Sequence, residues 1–192
     1  MSITPVSRLI VVSHCVLNPH TVVHGLAKNG TLAHRLVAMA QEHGVGILQL
    51  GCPEFTHLGP RRWAQSYEQY DTVAFRACCE TIAERAAAQL DDHASDGASV
   101  VAFVGICGSP SCSASVVTCA PYGGLVPGMK ANGPTALPPS TKVPRQGHLA
   151  QALHKALRHR NVHCPFLELP PDDCTNEQAE DFLRHLEGIL GM

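Results

Sequence analysis

The chain has 192 residues, of which 45% are hydrophobic and 16% charged, and its formal net charge is −2. Domains usually hold about 50–250 residues, so we expect one domain over residues 1–192. The balanced charge argues against a surface for nucleic-acid polymers, and no apolar run approaches the ~20 residues that span a bilayer.

Nine cysteines are many for a domain of this size. Because nine is odd, a full disulfide framework would leave one cysteine unpaired. The N-terminus lacks the basic and apolar regions of a secretory signal peptide. We therefore expect a cytoplasmic, reducing compartment, in which cysteines serve as thiols, metal ligands or catalysts.

Apolar runs and helical spacing predict strands that alternate with helices. In chain order they are strand Arg8–Ser13, helix Gly30–His43, strand Val45–Leu50, a helix from Asp71 to about His93, strand Ser99–Ile106, helix Gly147–Arg160, strand His163–Leu169 and helix Asn176–Leu190. Asp71 is expected to cap the long helix, and the most hydrophobic strand, Ser99–Ile106, to lie centrally. The alternation predicts an α/β three-layer sandwich with a mostly parallel central sheet.

The segments between these elements are predicted to be loops, at His14–Lys28, Gly51–Ser66 and Cys107–Val117. A Gly/Pro-rich excursion follows at residues 118–145. An irregular stretch of that length is uncommon in a compact domain. It is either a flexible lid or binding loop, or a surface excursion without a role.

Three cysteines each follow a predicted strand. Cys15 follows the first strand, Cys52 the second, and Cys112 the third. Ligands of open parallel α/β sheets bind outside the carboxyl ends of the strands. Thiolates gathered there would form a site for a soft metal or an iron–sulfur cluster.

Two short motifs surround these cysteines. In Gly51-Cys52-Pro53-Glu54, the proline favours a sharp turn that displays a thiol and a carboxylate together. In Gly108-Ser109-Pro110-Ser111-Cys112, small residues allow close approach to a ligand, and hydroxyls and amides can donate hydrogen bonds to sulfur.

The chain resembles the thiouracil desulfidases and their uncharacterised relatives. The matching pieces occur in the family's order in the first ~115 residues. They are Val12-Ser13-His14-Cys15-Val16-Leu17, Cys52-Pro53-Glu54, Gly59-Pro60-Arg61 and Ser109-Pro110-Ser111-Cys112.

The resemblance implies a Rossmann-like fold and a [4Fe-4S] cluster held by Cys15, Cys52 and Cys112. It also implies a catalytic carboxylate, which corresponds to Glu54, and a catalytic serine, which corresponds to Ser109. The expected activity is non-redox removal of sulfur from a small thiocarbonyl compound, such as a thiolated nucleobase, with release of hydrosulfide. Three protein ligands leave one iron open to the substrate's sulfur, and Glu54 acts as general acid and base.

This chain departs from the characterised members in three places. Asn18-Pro19-His20 stands where they carry a glycine and an Arg-Tyr-Asp-Gly element, and Ser113 stands where a glycine usually follows the last cysteine. Phe55-Thr56-His57-Leu58 replaces a glycine-rich stretch. We therefore assign the chain to a divergent branch.

For the other cysteines and histidines, a structural role is an alternative to a functional one. Cys107 or Cys119 is a candidate fourth ligand, while Cys78-Cys79, Cys164 and Cys174 are expected to be structural. His14 and His57 are acid–base candidates or solvated loop residues. Trp63, Tyr67 and Tyr70 either line a pocket for a planar ring or cover a sheet edge.

Alternative functions use the same thiols. They are a zinc hydrolase with Cys15, Cys52 and Cys112 on zinc, a non-catalytic iron–sulfur carrier or sensor, and a Cys112 nucleophile with a histidine base. The expected partner is a small thiolated substrate, and the chain is expected to be a monomer or homodimer.

Overall fold

A computed structural model describes residues 8–23, 30–120, 129–130, 133–134, 140–171 and 173–191. The strands are β1 (Arg8–Val12), β2 (Gly46–Gln49), β3 (Ser99–Ile106), β4 (Val116–Cys119), β5 (Met129–Lys130), β6 (Gly133–Pro134), β7 (Thr141–Pro144) and β8 (Phe166–Leu169). The helices are α1 (His14–Leu17), α2 (Thr31–Glu42), α3 (Pro53–Leu58), α4 (Tyr67–Tyr70), α5 (Val73–Ser95), α6 (His148–His159) and α7 (Asn176–Leu190), with a 3₁₀ turn at Pro19–Thr21.

The central sheet has four parallel strands in the order β2-β1-β3-β8. The predicted central place of Ser99–Ile106 is confirmed, because β3 pairs with β1 on one side and with β8 on the other. All four carboxyl ends consequently lie at one edge of the sheet, where ligands of such folds bind.

The strand residues alternate between two hydrophobic layers. Val11 and Phe103 are fully buried against α5 and α6, whereas Ile10, Val12 and Val104 are fully buried against α2 and α7. This alternation follows from the two-residue period of a strand. The predicted α/β three-layer sandwich is therefore confirmed.

The long helix begins at a different residue from the one predicted. Asp71 ends the short helix α4, and Thr72 is the N-cap of α5, where its hydroxyl accepts a hydrogen bond from the amide of Phe75 at 3.1 Å. Asp71 instead pairs with Arg76 through its side chain. The prediction that Asp71 caps this helix is wrong, because the extra helical turn at Tyr67–Tyr70 takes up that residue.

Thr72→Ala should lower the free energy of unfolding by about 1 kcal/mol, because it removes the acceptor for a first-turn amide. Asp71→Ala should lower the free energy of unfolding by less, since surface ion pairs contribute about 0–1 kcal/mol. Urea unfolding followed by circular dichroism measures both. A larger loss in the Asp71 variant would contradict this assignment of the cap.

The predicted loops contain short helices that periodicity does not reveal. Helices α1 and α3 and the 3₁₀ turn lie in the segments predicted as loops after the first two strands. The Gly/Pro-rich excursion at 118–145 begins in β4 and ends one residue after β7. Strands β4 and β7 pair antiparallel, and β5 pairs with β6. Residues 121–128, 131–132 and 135–139, on which a lid or binding loop would depend, lie outside the described residues.

Within the described ranges, no helix combines the length and the apolarity that crossing a bilayer requires.

Candidate functional site

The three cysteines that follow the first three strands line one cavity. Cys15, Cys52 and Cys112 follow β1, β2 and β3, which are neighbours in the sheet. The cavity has a volume of about 570 Å³, within the ~300–1,000 Å³ typical of small-molecule sites. The parallel topology thus brings together thiols that are distant in sequence.

Each cysteine reaches the cavity from a different local structure. Cys15 lies in the four-residue helix α1. Cys52 is the N-cap of α3, and its sulfur accepts a hydrogen bond from the amide of Phe55 at 3.4 Å. Cys112 is buried in the loop after β3, with 6% of its surface exposed. Backbone donors to sulfur are one of the features that tune a bound cluster.

Burial raises the pKa of all three thiols. It raises the pKa of Cys15 to about 12, and the charges of Cys52 and Glu54 add to this rise. Burial also raises the pKa of Cys52. It raises the pKa of Cys112 well above its usual value, with Cys52 and Cys15 contributing. Without a bound cation these groups are neutral thiols, which disfavours a Cys112 nucleophile because the thiolate is the reactive form.

Glu54 is the carboxylate of this cavity, and three donors fix its position. Its side chain is 12% exposed. Oε1 accepts a hydrogen bond from the Ser111 hydroxyl at 2.5 Å. Oε2 accepts from Arg62 Nε and from the Tyr70 hydroxyl, each at 3.3 Å. Glu54 is therefore held rigidly beside the thiols, with its charge balanced by one arginine.

The two serines of the motif loop have different contacts. Ser109 Oγ accepts hydrogen bonds from the amides of Ser111 at 3.3 Å and of Cys112 at 3.0 Å. Its hydroxyl also lies 3.2 Å from the Ser111 hydroxyl. Both serines line the cavity. Ser109, the serine that the resemblance designates, shapes the loop, while Ser111 contacts Glu54.

Arg62 is a site residue that sequence reasoning missed. Its side chain is only 3% exposed, and besides Glu54 it donates to the carbonyls of Thr21 at 2.6 Å and Gly59 at 3.4 Å. In the sequence it belongs to an Arg61-Arg62 pair that suggests only a local basic spot, and Arg61 is exposed. No local pattern distinguishes the buried arginine from its exposed neighbour.

The three aromatic residues that are candidates for a ring-binding pocket lie outside the lining of the cavity that holds the three thiols. None of Trp63, Tyr67 and Tyr70, all within the described part of the chain, lines the cavity. Trp63 is 71% exposed, and Tyr70 is 2% exposed and reaches the site only through its hydroxyl on Glu54. Tyr67 stacks on His148 with a centroid separation of 4.0 Å.

The remaining cysteines differ in their distance from the site. All nine cysteines are free thiols, and Cys107 alone among the other six lines the described cavity. Cys119 is buried and its thiol contacts Glu68. Cys78 Sγ lies 3.9 Å from the carbonyl of Pro53, and Cys79 is buried in the core. Cys107 is thus the better placed of the two candidate fourth ligands.

The two candidate histidines have structural partners. His14 Nδ1 lies 2.9 Å from the Leu50 carbonyl, which fixes the start of α1 beside the end of β2. His57 lies edge-on to Phe75, with a centroid separation of 5.6 Å. Neither lines the cavity that holds the three thiols.

The donor set suits a cluster with three protein ligands. Three thiols converge on one small-molecule cavity, and iron–sulfur clusters are held by cysteine thiolates. Within the described ranges, no group of three or more His, Cys, Asp or Glu side chains is arranged to hold a metal ion. A cluster of several atoms does not require its ligands to meet around one ion, so Cys15, Cys52 and Cys112 fit such a group by chemistry and position.

Comparisons with known proteins point to one family. The profile of a family described as "Putative 2-thiouracil desulfurase" matches residues 7–123, a range that includes the three thiols, Glu54 and both motif serines. The chain is also 32% identical to "Uncharacterized protein MJ0003" of Methanocaldococcus jannaschii over 105 residues, which cover 55% of this chain and 67% of that relative. No solved structure matches the chain.

Proposed function

The chain belongs to the family described as "Putative 2-thiouracil desulfurase", and on that premise we propose that it removes sulfur from a small thiocarbonyl compound, such as a thiolated nucleobase, without net redox change. The observation that carries the proposal is the convergence of three thiols and Glu54 on one cavity of about 570 Å³. A carboxylate held beside three soft donors suits hydrolysis of a carbon–sulfur bond better than simple storage of a metal.

Cys15, Cys52 and Cys112 would hold a [4Fe-4S] cluster. When bound, a cluster with three protein ligands supplies an open thiophilic iron, which is a Lewis acid toward the substrate's sulfur. The protein would shield the cluster from solvent on the side of Cys112, which is only 6% exposed. It also contributes a donor to sulfur, namely the Phe55 amide, which donates to Cys52 Sγ at 3.4 Å.

Glu54 is the proposed general acid and base. It takes a proton from water, whose oxygen bonds to the thiocarbonyl carbon while the carbon–sulfur bond breaks, and sulfur leaves as hydrosulfide. The same group can protonate a ring nitrogen. Water supplies the oxygen and the protons, so thiocarbonyl and water become carbonyl and hydrogen sulfide with no electron transfer. Arg62 and Tyr70 hold the carboxylate in place during the proton transfers.

The serines have separate proposed roles. Ser111 donates to Glu54 Oε1 and thereby fixes the direction of that oxygen. Ser109 accepts from the Cys112 amide and so fixes the ligand loop. Ser109 also lines the cavity. Because Ser111 donates its proton to Glu54, the Ser109 hydroxyl donates to Ser111 Oγ, and it would turn from that partner to orient a bound substrate.

Sulfide release from 2-thiouracil by the anaerobically reconstituted protein tests the proposal. We expect one hydrosulfide and one uracil per thiouracil consumed, over many turnovers and without an added reductant. Sulfide is measured colorimetrically and uracil by chromatography. A panel of other thiolated bases under the same conditions extends the test to the class.

Turnover by zinc-loaded protein that holds no sulfide would instead support the zinc hydrolase. A cluster that binds and exchanges electrons, without sulfide release from any thiolated base in the panel, would contradict the desulfidase proposal and favour a carrier or sensor.

A further inference from the structure

The loop that carries Cys112 is bound by a carboxylate from a strand more than fifty residues later in the chain. Glu168, in β8, accepts hydrogen bonds from the Ser113 hydroxyl at 2.7 Å, the Ala114 amide at 2.6 Å and the Ser115 amide at 2.9 Å. These are charge-assisted hydrogen bonds, which are about twice as strong as neutral ones. One side chain therefore holds three consecutive residues that directly follow the cysteine.

Ser113 is the centre of this contact. It is completely buried, and its Oγ accepts from the Val116 amide at 2.8 Å while lying 2.6 Å from the Val116 carbonyl. Its proton is shared between that carbonyl and Glu168, so the hydroxyl ties the loop both to β4 and to β8. A glycine at this position would leave Glu168 without its side-chain donor.

The rest of the loop is packed too closely to move freely. A Cβ on Gly105 would lie 2.3 Å from the Cys112 carbonyl oxygen, and a Cβ on Gly147 would lie 2.4 Å from the Ser111 carbonyl carbon. The amide of Leu149, at the start of α6, donates to the Ser111 carbonyl at 2.8 Å. Glu168 contacts the same loop from β8, the strand paired with β3.

Glu168 lies outside the range that the family profile matches, residues 7–123, whereas its partner Ser113 lies inside it. We propose that Ser113 and Glu168 are positioning residues, which fix the backbone after Cys112 and so direct its sulfur toward the cluster site. The inference rests on the proposed function in that Cys112 is taken as a cluster ligand. It assigns to β8 a part in ligand placement that the matched range does not contain.

Cluster retention tests the inference. Glu168→Leu removes every acceptor and should make loss of the reconstituted cluster to a chelator about 10–100-fold faster, the usual effect of removing a partner that orients a metal ligand. Ser113→Ala should act in the same direction. Glu168→Gln, which keeps an oxygen for the backbone amides, should restore retention toward that of the unaltered protein. Iron, sulfide and the visible absorption band are followed well below the melting temperature of each variant.

Glu180→Gln is the matched control, because Glu180 forms an exposed ion pair with Arg35, and its cluster should be retained normally. Retention in Glu168→Leu and Ser113→Ala equal to that of the control would overturn the inference, whatever their melting temperatures.

If the unaltered protein takes up no cluster, the proposed function fails, and the inference is decided separately on metal-free protein. Alkylation of Cys112, measured by peptide mass spectrometry with Cys15 and Cys52 as internal references, should then be selectively faster in Glu168→Leu. An alkylation rate of Cys112 in Glu168→Leu equal to that in the unaltered protein would overturn the inference.

Discussion

Glu54→Gln should slow sulfide release from the accepted thiolated base by about 10²–10⁴-fold, the usual contribution of a general acid or base, and should leave the iron and sulfide content unchanged. The amide keeps the shape of the carboxyl group and can still contact Ser111, Arg62 and Tyr70. It cannot take the proton of water. The effect should consequently fall on kcat rather than on cluster assembly.

The comparison needs a carboxylate remote from the cavity. Glu180→Gln serves this purpose, since Glu180 lies on α7 and its side chain is 59% exposed, and its turnover should match that of the unaltered protein. Full activity in Glu54→Gln, with normal cluster content, would remove the acid–base role from this residue.

Replacing Cys15, Cys52 or Cys112 by alanine, one at a time, should abolish both the cluster and turnover. With only two remaining thiolates, the site loses a required ligand, and a further thiol would have to enter from another part of the cavity. Iron and acid-labile sulfide per chain, together with the visible absorption band, report the cluster independently of activity.

One further cysteine variant is the control for this experiment, and another tests the number of protein ligands. Cys174→Ala should retain the cluster and turnover, because Cys174 packs against the hydrophobic layer of α2 and α7. Cys107→Ala decides the question of a fourth ligand, since Cys107 lines the cavity. We expect it to keep the cluster. Loss of the cluster in Cys107→Ala would contradict the open iron on which the proposed chemistry depends.

Sequence patterns predicted the fold and the convergence of the cysteines for a simple reason. The strands are short apolar runs, and Ser99–Ile106 was predicted with the bounds that β3 has. Once strands alternate with helices, a parallel sheet follows, and residues after successive strands share an edge. Helix α7 likewise has the predicted bounds, Asn176–Leu190, and a capping box of Thr175 and Gln178 stabilises its start.

The contacts inside the site could not be predicted in the same way. Arg62 is buried because the Thr21 and Gly59 carbonyls accept its hydrogen bonds, and these partners come from loops whose paths have no periodic signal. Ser111 rather than Ser109 contacts Glu54, because Ser109 bends back to cap two amides of its own loop. Which partner each side chain contacts depends on distances between residues that are far apart in the sequence.

The contact between Glu168 and the ligand loop is a further example. Glu168 lies in a predicted strand, where a single acidic residue suggests a solvated position. Its three partners at residues 113–115 are more than fifty positions earlier, and only the pairing of β8 with β3 brings them together.

Iron, acid-labile sulfide and zinc in anaerobically purified and reconstituted protein test the central claim most directly. The account predicts about four irons and four sulfides per chain, without zinc, since a [4Fe-4S] cluster has that composition. Stoichiometric zinc without sulfide, or no metal at all after reconstitution, would contradict a cluster on Cys15, Cys52 and Cys112.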